Sequence, residues 1–203
     1  GMCTGNIYGT RLESMEILLA TNNKNKQTEL VDIFLKHSSR HRLQFPNKKI
    51  EVIEDKLSIE ENAQKKAFEY FIEFNKPVIS DDSGLFVNSL NGDPGVYSSR
   101  FAGKHASDLE NNQKLIELLL NSLDRSAIFR TVLCFYDGKQ ILHATGELHG
   151  EIILSPRGLN GFGYDPIFEV NGKTLAEMTP EEKSEISHRK NASIKMVKLL
   201  NEK

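Results

Sequence analysis

Glu16-Ile17-Leu18-Leu19-Ala20-Thr21-Asn22-Asn23-Lys24-Asn25-Lys26 passes from a short apolar run into a polar turn. Helical periodicity follows at once, with Leu30, Ile33 and Phe34 on one face. A buried strand, a polar turn and an amphipathic helix in succession is the opening unit of an α/β sheet. Working outward, Val52 and Ile53 suggest a second strand, ending near Glu54. Ser58 and Glu61 have capping-box spacing, opening a helix with an apolar stripe at Ile59, Ala63, Ala67, Phe71 and Phe74. Pro77-Val78-Ile79 reads as a short buried strand that delivers Ser80-Asp81-Asp82-Ser83-Gly84 at its end. Residues 88–103, rich in Gly, Asn and Ser, read as a long loop. A second capping box, Ser107 with Glu110, opens a helix whose predicted stripe is Leu109, Ile116, Leu119, Leu120 and Leu123. Ala127 to Tyr136 and Gln140 to Ile153 predict a long hairpin turning at Asp137-Gly138. Thr179-Pro180-Glu181-Glu182 starts another helix, and a terminal one from Arg189 to Asn201 is expected to bury Ala192, Met196, Val197 and Leu200. Alternating strands and helices followed by an antiparallel pair predict an α/β fold, a mixed central sheet flanked by helices.

The totals narrow the function. A chain of 203 residues favours a single domain, here residues 15–203, with 1–14 read as a tag remnant and disordered leader. Lys plus Arg is 26 against 28 Asp plus Glu, a net charge of −2, which disfavours a protein built to grip nucleic acid. No apolar run is long enough to cross a bilayer and no signal-peptide pattern is visible, so a cytoplasmic location is expected. Cys3 and Cys134 are far apart, and Cys134 reads as a reduced, buried thiol.

Four segments carry possible chemistry. The turn Thr21 to Lys26 places the free backbone N–H groups of a helix N-terminus, Lys24 and Lys26 together, which suits a polyphosphate; no phosphate-loop or dinucleotide glycine pattern accompanies it, and alone such a turn is usually just solvated. Asp81 and Asp82 are adjacent carboxylates that repel unless a cation such as Mg²⁺ neutralises them, with Glu54 a possible further oxygen ligand; the plainer alternative is an exposed Asx turn. In Gly161-Phe162-Gly163-Tyr164-Asp165-Pro166 the flanking glycines leave the Phe162 ring free to act as a stacking platform, or simply mark a tight turn. Lys183 with Ser187-His188-Arg189 offers cationic donors, or a solvated helix face. Together the four describe a nucleotide site.

These segments, with Gly95-Val96-Tyr97-Ser98-Ser99-Arg100-Phe101-Ala102-Gly103 between them, stand in the same order as in one family. Over about residues 15–200 the chain resembles the inosine/xanthosine triphosphate pyrophosphatases, the Ham1/RdgB-like enzymes. The resemblance implies a fold of two lobes with the active-site cleft between them, and a homodimer. It implies that Thr21, Asn22, Asn23, Lys24, Asn25 and Lys26 hold the triphosphate, with Lys66 facing it and Ser83 lining the same site. Asp82 would be the catalytic base, and Glu54 with Asp82 would bind Mg²⁺. Phe162 would stack on the purine beside Gly163, Tyr164 and Asp165, while Lys183, His188 and Arg189 would read the base, including its 6-oxo group. Ser80, Ser99 and Phe101 depart from the family's usual residues, and Ile53-Glu54-Asp55-Lys56 lacks the usual Glu-Thr-Gly pattern around the metal glutamate.

The implied activity is hydrolysis of non-canonical purine nucleoside triphosphates (ITP, dITP, XTP) to monophosphate and pyrophosphate, cleansing the nucleotide pool. The rivals are a related pyrophosphatase for pyrimidine or modified nucleotides, a nucleotide-binding regulator without catalysis, and a nucleic-acid module.

Overall fold

A computed structural model describes residues 14–37 and 40–202. The expected leader, but for Ser14, and Cys3 lie outside the described residues.

The first half alternates strand and helix: β1 (Glu16–Ala20), α1 (Lys24–Lys36), β2 (Arg42–Gln44), α2 (Ile59–Phe74) and β3 (Val78–Val87). There follow the short β4 (Pro94–Gly95), α3 (Asp108–Leu119), and the hairpin β5 (Ser126–Tyr136) and β6 (Ile141–Ile152). The chain closes with β7 (Phe168–Val170), β8 (Lys173–Thr174), α4 (Pro180–Glu185) and α5 (His188–Asn201). These strands form one mixed sheet in the order β2-β1-β3-β5-β6-β7-β8, with β4 beside β3. β1 runs parallel to β2 and β3, β3 and β5 are antiparallel, and β5 and β6 form the antiparallel hairpin that the sequence predicts.

Side chains alternate across the sheet and build a layer on each face. Ile17, Leu19, Ile79, Leu133 and Phe135 pack under α1 and α5, while Leu18, Ala20, Val78, Val132 and Cys134 pack under α2. Cys134 is a buried free thiol, and burial pushes it up to about 12. The far halves of β3, β5 and β6 leave these helices behind. There Leu85, Val87, Ala127 and Ile152 join Leu115 and Leu119 of α3, Phe168 and Leu175 in a separate core. Two lobes thus share three long strands, and the cleft lies where one core gives way to the other.

Four local expectations are corrected. Val52 and Ile53 form no strand: Ile53 is exposed, and the strand beside β1 is Arg42–Gln44 instead. Glu54 therefore sits on irregular backbone. β3 does not stop before the aspartates but continues to Val87, because Leu85 and Val87 resume its burial in the second core. The stripe predicted for α3 is turned outward at Leu109, Leu120 and Leu123. Asn111 and Asn112 face inward because their amides are needed there: Asn111 bonds the Ser99 carbonyl and the Ala102 amide, and Asn112 the Gly163 carbonyl. On α2, Tyr70 rather than Phe74 completes the buried face, and the Ser58–Glu61 box is one-sided, the Ser58 side chain accepting from the Glu61 amide. The boxes at Ser107 and Thr179 are reciprocal as expected.

Candidate active site

The site begins with a gap in the sheet. β3 pairs with β5 along its whole length, but its other edge is covered only by β1, at Val78 to Ser80, and by β4, at Leu85 and Phe86. Between them, residues 81–84 have no neighbouring strand on that edge among the described residues. β1 ends at Ala20 and turns away through Thr21 to Asn23, leaving a crevice at the carboxyl end of a parallel strand, the usual ligand position in open α/β sheets. Strand alternation sends Ser80 and Asp82 toward α2, and Asp81 and Ser83 toward α1 and α5. A ligand in the gap can reach both faces.

Charges crowd this gap. Asp81, 2 % exposed, pairs with Lys26 Nζ at 2.7 Å. Burial alone would raise its carboxyl, but Lys26 and Lys66 outweigh burial and hold it well below the usual range. Lys66, on α2, donates to the Asp81 backbone carbonyl (2.7 Å) and pairs with Glu54 (3.1 Å). Burial works against its charge, yet Asp81 and Glu54 leave it raised. Asp82 is the opposite case: burial and then the Glu54 charge push it up to about 7, only partly offset by Lys66. Such a carboxyl, held up by a neighbouring anion, is what a divalent cation relieves. Among the described residues no three acidic, His or Cys side chains form a metal cluster. Glu54 and Asp82 would hold the ion, and an all-oxygen pair of carboxylates fits Mg²⁺. Ser83 completes the gap, its hydroxyl 2.6 Å from that of Thr131.

One expectation about the polar turn is revised. Two first-turn amides of α1 are taken: Asn23 Oδ1 accepts from both Asn25 N and Lys26 N, and the N-cap's own Asn23 N donates to Thr21 Oγ1. The residue types that favour a phosphate turn also cap their own helix. The Lys26 and Lys66 ammonium groups bring positive charge to the gap from α1 and α2. Lys24 is exposed at the helix start, and Asn22 bonds the Tyr70 side chain.

On the α5 side of the gap lies a cavity of about 500 Å³. Asn25, Ser83, Phe162, Gly163, Tyr164, Asp165, Lys183, His188 and Arg189, nine of the residues singled out in the sequence, line it. Thr21, Asn22, Asn23, Lys24, Lys26, Glu54, Lys66 and Asp82 do not; most of them surround the gap that adjoins it through Asn25 and Ser83.

Phe162 is half-exposed, with Lys183 Nζ 4.7 Å from its ring centre. Its loop is pinned from several sides. Asp165 accepts from Phe162 N (3.0 Å) and Lys183 (2.5 Å); Gly163 N donates to Asp108 (2.9 Å), and the Tyr164 hydroxyl donates to the Ser98 carbonyl (2.5 Å). Gly161 has a φ of +74°, and a Cβ there would sit 2.1 Å from the Asp165 carboxylate, so the loop requires a residue without one.

Opposite, His188 and Arg189 form the first turn of α5, capped by Ser187. Burial, then Arg189 and Lys183, lower the His188 imidazole to about 3, so it is neutral near pH 7. Arg189 Nε is buried without a hydrogen-bond partner.

Sequence reasoning singled out Glu29, which stands with Lys26 in the first segment of the resemblance, but missed the lining residue Phe129 and its neighbour on β5, Arg130. Phe129 stacks on His188 with ring centres 5.3 Å apart and an interplanar angle of 12°. Glu29 reaches both Ser187 (3.1 Å) and Arg189 (3.5 Å). Arg130, level with Gly84, lies over Phe86 near Glu60. Alternation along the predicted hairpin could have separated Phe129 from Arg130, though not shown what either faces.

The model of the Ham1 family matches residues 17–199. A dITP/XTP pyrophosphatase of Thermoanaerobacter sp. is 43% identical over 187 residues, spanning 90% of this chain and 94% of that one. Another from Aquifex aeolicus is 41% identical over 197 residues, spanning 92% and 96%. Among solved structures, a HAM1 protein from Coxiella burnetii superposes with a TM-score of 0.85 at 37% identity, covering 93% of this chain and all of that one. The Staphylococcus aureus Ham1 protein gives 0.82 at 38% identity, covering 92% and 98%. In sequence along nearly its whole length and in the path of its backbone, the chain belongs to the Ham1 family.

Proposed function

We propose that this protein hydrolyses non-canonical purine nucleoside triphosphates, ITP, dITP and XTP among them, to the monophosphate and pyrophosphate, with Mg²⁺ as cofactor. The observation that carries the reading is the contiguity of the two halves of the site. A donor-ended aromatic pocket opens through Ser83 onto a gap ringed by Lys26, Lys66, Glu54 and Asp82. A base and a triphosphate on one molecule match these two halves. The names of the relatives support the same substrates.

The purine stacks on Phe162, a contact worth about 1–3 kcal/mol. His188 and Arg189 meet the edge of the base. An arginine donor paired to a 6-oxo acceptor would be left unpaired opposite the 6-amino group of adenine, a defect that can exclude a competitor by about 10⁴-fold. Lys26 and Lys66 attract the phosphates and stabilise charge on the departing pyrophosphate. Asp82, placed at the gap beside Glu54 and Lys66, takes a proton from the water that attacks the α-phosphorus in line. Bound between Glu54 and Asp82, Mg²⁺ would supply charge neutralisation and acidify that water. No covalent intermediate is required.

The assignment extends to a cytoplasmic homodimer, the assembly implied by the resemblance; sedimentation velocity tests it. Among the described residues no helix is long and apolar enough to cross a membrane. The function is tested by pyrophosphate release from ITP, XTP, ATP, GTP, dTTP and UTP, with Mg²⁺ and with EDTA. Metal-dependent release, fastest from ITP and XTP, is expected. Preference for pyrimidine nucleotides, or release unaffected by EDTA, would overturn it.

A further inference from the structure

Residues 53–56 carry Glu54 to the gap with no strand beneath them. Burial does little to hold them, since the apolar neighbours Ile53 and Leu57 are both exposed. Polar contacts from α2 take its place. Lys65 Nζ donates to the Ile53 carbonyl (2.6 Å) and pairs with Asp55 Oδ1 (2.8 Å), so one ammonium grips the chain on both sides of Glu54. Lys56 N donates at 2.9 Å to Oδ1 of Asn62, a buried residue one turn before Lys65 and Lys66 on the same helix face. From the second lobe, Arg100 Nη2 donates to the Glu54 carbonyl at 3.4 Å. Of these neighbours only Lys66, at 3.1 Å, meets the Glu54 carboxylate itself. The others fix the backbone around it and leave its oxygens to face Asp82.

We propose that Lys65, clamped to Asp55, is a positioning residue for the divalent cation: it holds the backbone of Glu54 against α2, so that the carboxylate stands beside Asp82 before the ion arrives. This rests on the reading of Glu54 and Asp82 as the ligands of the ion. The charge of Lys65 works against a cation nearby, because like charges repel. Position and charge therefore predict opposite signs. Loss of the lysine tightens ion binding if its charge alone matters, and weakens it if its grip on residues 53–55 matters.

Mn²⁺ binding to the full chain without nucleotide, followed by water-proton relaxation, tests this independently of turnover. Lys65→Met keeps a straight, helix-forming side chain and loses both contacts. It is expected to raise the Kd for Mn²⁺ about 10-fold, as when a group that orients a metal ligand is removed. Lys65→Arg can still donate to both acceptors and should stay within about 3-fold of wild type. An unchanged or lowered Kd in Lys65→Met would overturn the proposal, as would equal losses in the Met and Arg variants. Should Lys65→Met lower the thermal midpoint, Lys65→Gln replaces it, with the same two readings. Wild-type protein that takes up no Mn²⁺ would strike at the ion site of the proposed function and carry this inference down with it. Uptake indifferent to Lys65 sinks this inference alone, which keeps the two failures apart.

Discussion

Lys26 and Asp81 meet at 2.7 Å, joining the first turn of α1 to the open stretch of β3. The pair serves stability, because Asp81 is 2 % exposed and its charge depends on Lys26 and Lys66. Lys26→Ala leaves a buried carboxylate short of its direct partner, a change that typically costs about 3–5 kcal/mol. Urea denaturation should show that loss in Lys26→Ala and a much smaller one in Lys26→Met/Asp81→Asn, where the buried charge is gone. Equal stability of the two variants would contradict the reading.

Asp82 contrasts with its neighbour. Its alternation toward α2 places it with Glu54 and Lys66 rather than with Lys26. Asp82→Asn keeps the shape and removes the base, so kcat for ITP should fall about 10³-fold with the far-ultraviolet circular dichroism unchanged. Turnover within 10-fold of wild type would remove Asp82 from the chemistry.

How much of this was legible in the sequence depended on whether a residue acts locally. β1, the β5–β6 hairpin, the caps at Ser107 and Thr179 and the buried face of α5 follow from nearest-neighbour patterning, and they stand where expected. α3 misled because Asn111 and Asn112 look solvent-facing until the loops they hold, at Ser99, Ala102 and Gly163, are in place. β3 seemed to end at Ser80 because two carboxylates inside a strand are costly, and the cations that offset them come from α1 and α2. Glu54 was singled out as an oxygen ligand at the end of an expected strand, and it borders the gap although that strand is absent. Phe129 carries no motif of its own, and Glu29, though it stands in the first segment of the resemblance, shows nothing there of what it faces; the fold brings them to His188 and Arg189.

Gly146 on β6 sets how closely α5 can approach the sheet. A Cβ there would lie 2.0 Å from the His188 carbonyl oxygen and 2.5 Å from Ala192 N, both backbone atoms. Gly146→Ala must therefore lift the first turn of α5. Overpacking of this kind costs about 1–3 kcal/mol, which a denaturant titration would show. The ITP-to-ATP ratio of kcat/KM should drop as well. A variant as stable and as selective as wild type would refute the contact.

His188 gives a pH signature. The unfolded chain takes up its proton near 6.5, whereas the folded site resists protonation until about 3. Between those values the unfolded state binds more protons, so stability falls as pH drops from about 6.5 toward 3, and this group has no effect above that window. The wild-type stability difference between pH 7 and pH 4.5 should shrink in His188→Gln. By NMR the His188 ring resonances should stay flat from pH 8 to 5. A titration centred near 6.5 would show that the imidazole is not held neutral.

The central claim is that water attacks the phosphorus nearest the nucleoside, beside Asp82. Hydrolysis of ITP in ¹⁸O-enriched water, with products separated and weighed by mass spectrometry, tests this directly. The expected result is one ¹⁸O in inosine monophosphate and none in unlabelled pyrophosphate. Label in pyrophosphate, or in orthophosphate released alongside inosine diphosphate, would place the attack elsewhere and contradict the account.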